Sequence, residues 1–296
     1  MKYLVAAVPL AAILLLGCGS EAEHSKVAQI APPAKPPADP LPREQVLAPP
    51  RETELKDAVA RNTSATTKEG GWGTIKGQIV FDGDKFPENP KLDVNKDQDH
   101  CLAKGPLLAE SWVVNPKNKG VHWVAVFLKP ERGKMLPVHP DLAKPAGDAV
   151  LDQPQCAFIP HVLAMRADQM LLVKNPAPVI HTVTLTGFDN QINETLPPNS
   201  EKKYQLQSER IPIGVSCAIH PWMKGYAWVF DHPYFAVTDA DGKFEIKLAP
   251  AGMQNLVVWQ ESMGFLGGRA GGNGRPIEVK SDGVTDLGVI KIRPAE

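Results

Sequence analysis

The chain has little net charge, few cysteines and almost no sustained helical periodicity. Its 296 residues carry 32 Lys and Arg against 33 Asp and Glu, a formal net charge of −1 at pH 7. No basic stripe could neutralise a row of phosphates, so the sequence does not predict nucleic acid as a partner. After residue 16 no apolar run is long enough for a membrane helix. The weak helical periodicity argues against an α-helical fold.

The first residues have the pattern of an export signal. An apolar run, residues 3–16, is too short to span a bilayer comfortably and leads into Leu-Leu-Gly-Cys at residues 15–18. These four residues resemble the lipobox of bacterial lipoproteins, which implies a signal peptide over residues 1–17 and lipidation of Cys18. An ordinary signal peptide with a chance cysteine is the alternative. The resemblance implies a lipid-anchored periplasmic or cell-surface protein, and Gly19, where an Asp would favour the inner membrane, favours the outer membrane.

Residues 18–71 have no core-forming pattern, and residues 30–50 are crowded with proline. Proline-rich chain is semi-extended, so this stretch is predicted to be a disordered linker. It would either hold the folded part away from the lipid surface or serve only as a tether.

The cysteines form an odd set once one carries lipid. Export places the chain in an oxidising compartment, where paired cysteines persist. With Cys18 lipidated, a disulfide between Cys101 and Cys156 leaves Cys217 as a free thiol. A disulfide between Cys217 and one of the others is the alternative, and it would exclude a metal thiolate.

From Trp72 onward the sequence predicts an all-β fold. Short apolar or alternating segments are separated by Gly, Pro, Asn and Asp clusters, which is typical of a β-sandwich. A glycine-rich stretch, residues 264–274 (GFLGGRAGGNG), is predicted to be a flexible loop with no strand after it. The predicted strands are residues 74–81, 121–128, 156–164, 169–174, 181–185, 202–207, 213–217, 226–230, 236–238, 244–248, 254–260 and 288–293.

The stretch Cys217-Ala218-Ile219-His220-Pro221-Trp222-Met223 carries three metal-binding side chains within one turn. With His181 from another strand, it offers a thiolate, two imidazoles and a thioether, the donor set that suits copper in both oxidation states. Zinc is the rival metal, although a thioether is a poor zinc ligand. The remaining candidates lack a partner spacing and are assigned no metal: His100, His122, His139, His161 and His232.

Residues 162–230 resemble the cupredoxin family of blue copper proteins. The family pattern is a strand ending in Asn, then a His, and later Cys, His and Met on one loop; here these are Asn175, His181, Cys217, His220 and Met223. The spacing within the loop is closest to the amicyanin type. The resemblance implies a Greek-key β-sandwich and a mononuclear copper site that exchanges single electrons with redox-protein partners.

The resemblance also implies a docking patch and shows one departure from the family pattern. In the family, the loop histidine emerges through an apolar patch that docks partners, which Pro221 and Trp222 would supply here. The alternative is that Trp222 and Tyr226 are simply core residues. The residue after the first ligand is usually an Asn that ties the two ligand loops together, whereas this chain has Thr182.

Four protein ligands would leave no exchangeable position for a substrate, which favours electron carriage over catalysis.

A second resemblance, to the carboxypeptidase-regulatory-like sandwich, rests on four short segments. They are residues 73–83 (GTIKGQIVFDG), 120–126 (GVHWVAV), 238–246 (TDADGKFEI) and 250–252 (PAG). These segments flank the copper-binding segment, which implies strands of a small second β-sandwich over residues 72–150 and 236–296 and a copper domain over residues 151–235.

The sequence therefore supports three hypotheses of function. The first is a lipid-anchored copper protein that carries single electrons and is not an enzyme. In the second, the copper site serves storage, delivery or sensing. In the third, the protein is an adhesion or carbohydrate-binding β-sandwich whose metal site is structural.

Overall fold

The computed structural model describes residues 70–294. The predicted signal peptide, Cys18 and nearly all of the predicted linker lie outside these residues. No helix in the described part of the chain is both long and apolar enough to cross a membrane.

The regular secondary structure of residues 70–294 is almost entirely β-strand, which confirms the predicted all-β class. Two four-residue helices, α1 (Gln98–Cys101) and α2 (Gly268–Gly271), and a 3₁₀ turn at Pro140–Leu142 complete the secondary structure of this range. The strands, β1 to β16 in chain order, are Trp72–Phe81, Ala125–Lys129, Ala149–Asp152, Val162–Arg166, Met170–Asn175, His181–Thr186, Gln191–Leu196, Ser200–Gln205, Ile213–Ser216, Lys224–Phe230, Phe235–Val237, Lys243–Pro250, Gly252–Gln260, Gly264–Phe265, Arg275–Val279 and Val284–Ile292.

Strands β3 to β10 form the central sandwich. One of its sheets has the order β4-β10-β9-β6-β7 and the other β3-β5-β8. Apolar side chains from both sheets meet in one buried core, among them Met165, Leu171, Val183 and Val215. Successive side chains of a strand point to opposite faces, so the alternation in His181–Thr186 sends Val183 and Leu185 into this core.

The remaining strands come from both ends of the described chain and form the split sandwich. Its sheets have the orders β12-β1-β16 and β11-β2-β13-β14, with β15 paired to β13. Strand β1 lies antiparallel to β12 and parallel to β16, so the beginning and end of the described range are joined in one sheet. Ile75, Ile79 and Leu256 are among the residues of its core.

The two sandwiches pack sheet against sheet through a third apolar cluster. Trp228 and Phe230 of β10 meet Phe127 of β2 and Trp259 of β13 in this cluster. On β10 the alternate residues, such as Val229, face the core of the central sandwich. Strand β10 is therefore buried on both faces, which explains its nearly continuous apolar sequence.

The glycine-rich stretch is more ordered than the sequence analysis predicts. It contains β14 and α2, and β15 (Arg275–Val279) follows it directly, so the expectation of no following strand is wrong. The short strand was missed because Pro276 interrupts its apolar pattern. Backbone pairing with β13 supplies the order that the local sequence does not indicate.

Two predicted strands begin later than expected. Strand β2 begins at Ala125 rather than at residue 121, and Trp123 before it has φ 64°. Strand β4 begins at Val162 rather than at residue 156, and Cys156 has φ 52°. A left-handed residue cannot continue an extended strand, and no sequence pattern marks either of these two positions.

Candidate metal centre

Strand pairing brings the distant histidine to the ligand loop. His181 is the first residue of β6, and Cys217 follows β9 directly. The two strands are antiparallel with Thr184 opposite Ser216. Continued by two residues, this register places Thr182 opposite Ala218, so the start of β6 lies beside the loop of residues 217–223.

Three potential metal donors converge at this point. The Nδ1 atoms of His181 and His220 lie 2.9 Å apart, and the Cys217 sulfur lies 3.9 Å from Nδ1 of His220. One donor atom from each of the three residues lies within 4.8 Å of the others. Both histidines are fully buried, and Cys217 is the free cysteine of the described range. Two ring nitrogens that face each other beside a thiol are a donor set that fits a transition metal.

The electrostatics keep His181 neutral. Burial is the largest influence and lowers the pKa of His181, and the neighbouring His220 and His100 lower it further, to about 4. Asp97 acts in the opposite direction but is outweighed. A neutral imidazole is the form that binds metal ions, so His181 carries no positive charge to lose at neutral pH.

Hydrogen bonds from β6 and from the loop converge on the Cys217 sulfur. The Thr182 amide lies 3.3 Å away, the His220 amide 3.4 Å and the Thr182 hydroxyl 3.5 Å. The same hydroxyl accepts a 2.7 Å hydrogen bond from the Ala218 amide. A hydroxyl can donate and accept at once, so Thr182 ties the two ligand segments together where the resemblance leads one to expect Asn.

Backbone hydrogen bonds shape the loop of residues 217–223. The Cys217 amide donates to the Met223 carbonyl at 3.3 Å, and the Met223 amide donates to the His220 carbonyl at 2.9 Å. The loop is therefore a closed turn between β9 and β10. Met223 is buried at its end, as a fourth ligand from this loop would require.

Asn175 organises the segment that leads to His181. Its side-chain amide donates to the carbonyls of Val179, Leu196 and Pro197 at 2.9, 2.9 and 3.0 Å. Its side-chain oxygen accepts from the Ala177 amide at 3.1 Å. A fully buried amide with all these bonds holds the turn before β6, and thereby sets the position at which His181 starts the strand.

Asp97 is a site residue that the sequence analysis missed. Its Oδ2 lies 2.7 Å from Nε2 of His220, the ring nitrogen on the side away from His181. The two residues are 123 positions apart and Asp97 belongs to no strand. No spacing or periodicity in the sequence could have indicated this contact.

Cys101 and Cys156 form a disulfide, and both are fully buried. Their sulfur atoms and a ring nitrogen of His220 all lie within 4.8 Å of one another. Sequence parity led to the pairing of these two cysteines, but it contained no signal that the bridge would lie against a metal-ligand candidate.

The two predicted docking residues differ in exposure. Pro221 is exposed, whereas Trp222 is buried, and its ring centroid lies 5.0 Å from that of His220. Trp222 therefore packs against the candidate ligand instead of projecting into solvent.

A cavity of about 550 Å³ adjoins the ligand loop, with Trp222 and Met223 in its wall.

His161, also in the wall of this cavity, lies between two carboxylates. Its Nε2 is 3.2 Å from Glu261 and its Nδ1 is 3.6 Å from Glu110. Burial alone would lower the pKa of His161, but hydrogen bonding and charge from Glu261 and Glu110 outweigh it and raise the pKa. His161 is thus a buried histidine held by its own carboxylate partners, separate from the convergent donors.

No protein-family model matches the chain, and no curated protein matches it. Among solved structures, it is similar to a purple cupredoxin from Nitrosopumilus maritimus, with 18% identity over 28% of this chain and 99% of that chain and a TM-score of 0.25. Amicyanin from Paracoccus versutus is 16% identical over 35% of this chain and 96% of that chain, with a TM-score of 0.25. A copper-containing nitrite reductase from Thermus scotoductus SA-01 is 17% identical over 32% of this chain and 27% of that chain, with a TM-score of 0.27.

Proposed function

We propose that the chain is an exported, lipid-anchored protein of the cupredoxin type that binds one copper ion and carries single electrons. The observation that carries the proposal is the meeting of the Cys217 sulfur with the facing Nδ1 atoms of His181 and His220 in a buried site. Met223, buried at the end of the same turn, is the proposed weak fourth ligand.

The residue types suit this chemistry. Bound copper would supply a one-electron Cu(II)/Cu(I) couple. The thiolate would stabilise Cu(II), and the thioether would accommodate Cu(I). The Thr182 and His220 amides at the Cys217 sulfur would hold it in place in both states. Strand pairing and a closed turn position the donors, so the protein around them needs little rearrangement.

Electron carriage is favoured over the other uses of such a site. Four protein ligands would leave no position for a substrate, which disfavours catalysis at the metal. None of the four proposed ligands, His181, Cys217, His220 and Met223, is exposed. An acceptor for copper would therefore find no ligand at the surface to exchange, which disfavours direct delivery.

The proposal includes a redox protein as partner and a membrane anchor. The partner would approach near exposed Pro221, next to the ligand loop. Lipid on Cys18 would hold the protein at the periplasmic or outer surface of the outer membrane. Fractionation tests the anchor: the full-length protein is expected in the membrane fraction, and a Cys18→Ala variant in the soluble fraction.

The decisive experiment is the visible absorption and electron paramagnetic resonance of the full-length protein loaded with Cu(II) in detergent. An intense thiolate-to-Cu(II) band is expected, and Cys217→Ala should abolish it. Cys18→Ala, which removes the other cysteine outside the disulfide, is the matched control and should leave the band unchanged. A wild-type protein without the band, or a band that survives Cys217→Ala, would overturn the proposal.

Electron self-exchange separates carriage from storage or delivery. Fast self-exchange without loss of copper to an added acceptor supports an electron carrier. Slow self-exchange together with ready transfer of copper to the acceptor would favour the second hypothesis instead.

A further inference from the structure

His220 has a second polar contact in addition to those around Cys217. Its Nδ1 faces His181, while its Nε2 lies 2.7 Å from Oδ2 of Asp97. We propose that Asp97 is the positioning residue of the metal centre: its carboxylate fixes the tautomer and orientation of His220 and thereby tunes the affinity for each oxidation state of the metal. This inference rests on the proposed function.

The hydrogen-bond chemistry determines which nitrogen of His220 carries the proton. An ionised carboxylate can only accept hydrogen bonds, so the bond to Asp97 requires the proton to sit on Nε2. Nδ1 then presents its lone pair toward His181 and Cys217, which is the state that a metal ligand requires. Carboxylate partners of this kind raise the basicity of a histidine ligand as well as orienting it.

Asp97 lies in an ordered segment, residues 90–109, that is closed by backbone hydrogen bonds and packs on the central sandwich. Backbone hydrogen bonds from Leu92 to Leu107 and from Ala109 to Pro90, both 2.9 Å, close its base. Val94 and Cys101 from the same segment are buried in the core of the central sandwich. The segment is therefore part of the folded structure around the site.

The backbone of Asp97 is tied to the first turn of α1. Asp97 immediately precedes α1 and has φ 49° and ψ 36°. Its carbonyl accepts hydrogen bonds from the amides of His100 and Cys101, at 3.1 and 2.9 Å. Asp is one of the few residues other than glycine that adopts left-handed backbone, and the two hydrogen bonds to its carbonyl help to hold this conformation.

The disulfide fastens this segment beside His220. It joins Cys101, at the end of α1, to Cys156, and both sulfur atoms lie within 4.8 Å of a ring nitrogen of His220. The bridge thus links the segment that carries Asp97 to the central sandwich at the point where the contact is made. We expect it to limit the movement of Asp97 away from the ring.

Two consequences follow for the metal. Electron donation from the Asp97 carboxylate through the His220 ring should stabilise Cu(II) more than Cu(I), so Asp97 should lower the reduction potential. A fully buried His220 whose outer nitrogen is already bonded should also leave the metal more slowly.

A purely structural role is the competing explanation, in which Asp97 only anchors its own segment. The test compares the full-length protein with Asp97→Ala and Asp97→Asn. Asp99→Asn is the matched control, because Asp99 is an exposed acid two residues away that makes no hydrogen bond or ion pair with His220 in the described part of the chain. Asp97→Asn nearly preserves the side-chain volume and keeps an oxygen that can accept from Nε2, so it maintains the test if Asp97→Ala fails to fold.

The first readout is the copper centre. Loss of an outer partner of a metal-ligating histidine typically costs 10- to 100-fold in metal affinity. We expect Asp97→Ala to weaken Cu(II) binding about tenfold relative to Cu(I), which corresponds to a rise of 59 mV in reduction potential for one electron. Asp97→Asn should give a smaller rise, and Asp99→Asn none. A potential in both Asp97 variants equal to that of the wild type would overturn the inference.

The second readout does not need copper. Long-range ¹H–¹⁵N spectra of the metal-free protein report which nitrogen of His220 is protonated. The wild type should show Nε2 protonated, and Asp97→Ala should show mixed tautomers. If the wild type fails to bind copper, the proposed function fails, and the tautomer measurement still decides the role of Asp97: an unchanged tautomer in Asp97→Ala would contradict it.

Removal of the disulfide supplies a further check. In a Cys101→Ala/Cys156→Ala variant, the added effect of Asp97→Ala on the tautomer and on the potential should be smaller than in the wild type, because Asp97 is no longer fastened at the ring. Full additivity of the two changes would show that the bridge does not position Asp97.

Discussion

The backbone amide of Thr182 donates a hydrogen bond of 3.3 Å to the sulfur of Cys217. This contact joins Thr182, which follows the candidate ligand His181 on β6, to the candidate ligand Cys217, which directly follows β9. The Thr182 hydroxyl reinforces it by accepting from the Ala218 amide and lying 3.5 Å from the same sulfur. Thr182 is therefore the residue through which the two halves of the site are coupled.

Replacement of Thr182 by Val tests this coupling. The hydroxyl bonds are lost while the backbone bond to Cys217 remains, so we expect the free energy of unfolding to fall by roughly 1 kcal/mol in urea titrations. With copper bound, a thiolate with one hydrogen bond fewer is a stronger donor, so the reduction potential should also fall. Thr182→Ser retains the hydroxyl and should behave as the wild type. A Val variant with wild-type stability and potential would show that the hydroxyl is dispensable.

Replacement of Glu209, which lies outside the candidate metal centre, is expected to lower stability strongly. Its buried carboxylate accepts from the amides of Phe188, Asp189 and Asn190 at 2.8, 3.0 and 2.9 Å, and from the Asn190 side chain at 2.7 Å. Burial by itself would raise the pKa of Glu209, but these hydrogen bonds outweigh it and lower the pKa. In Glu209→Gln, an NH₂ group replaces one carboxylate oxygen and faces the N–H groups that the carboxylate accepts from, and the negative charge is lost. We therefore expect the free energy of unfolding to fall by about 2 kcal/mol.

Exposed Glu201 provides the control for this change. Glu201→Gln should leave the urea midpoint within experimental error of the wild type. The lowered pKa of Glu209 means that its stabilising contribution is present above its unfolded pKa and is lost as the pH falls through the folded value. Equal midpoints for Glu209→Gln and Glu201→Gln would contradict the predicted role of the carboxylate.

His232 predicts a loss of stability in acid. Its ring is buried, and Nδ1 accepts a 3.2 Å hydrogen bond from the Tyr234 amide. Burial is the main cause that lowers the pKa of His232, to about 4; Asp231 opposes it and Arg166 adds to it. The unfolded chain, with a histidine pKa near 6.5, binds the proton first, so this contribution is present above about pH 6.5 and is lost toward about pH 4.

Between about pH 6.5 and about pH 4, we expect His232 to lower the free energy of unfolding by about 3 kcal/mol. Urea unfolding of the metal-free protein at several pH values measures this change. His232→Asn retains an acceptor for the Tyr234 amide but does not titrate. Its stability should fall less steeply with acid than that of the wild type, and the difference belongs to His232 because His181 is present in both proteins. Parallel curves for the two proteins would show that His232 does not contribute.

Replacement of Trp228 tests how much the interface between the two sandwiches contributes to stability. Its buried ring lies with centroid distances of 4.9 Å from Phe127 and 5.6 Å from Trp259. Trp228→Ala leaves a cavity between two sheets and should cost about 3 to 5 kcal/mol in urea unfolding. Trp228→Phe keeps most of the apolar contact and removes an indole N–H that has no partner in this structure, so it should cost much less. Similar losses in both variants would contradict an apolar interface.

The elements that the sequence predicted correctly are those whose pattern is local. Strand β6 is recognisable because Val183 and Leu185 alternate with threonines, and β10 because its apolar run is nearly continuous. Strand β7 was not predicted, since most of Gln191–Leu196 is polar and it is held by pairing with β6. Strand β3, only four residues long, likewise depends on pairing with β5. Edge and short strands take their order from partners that are distant in sequence.

The sequence by itself determined the donor types and the turn that presents them, because Cys217, His220 and Met223 lie within seven residues and a single turn can bring them together. Only the tertiary structure decided that the Nδ1 atom of His181 faces that of His220, that Thr182 bridges the ligand segments, and that Asp97 and the Cys101–Cys156 disulfide lie against His220. The physical reason is that short-range spacing constrains one turn of backbone, whereas contacts between residues as far apart as 123 positions depend on strand pairing and core packing, which no local pattern records.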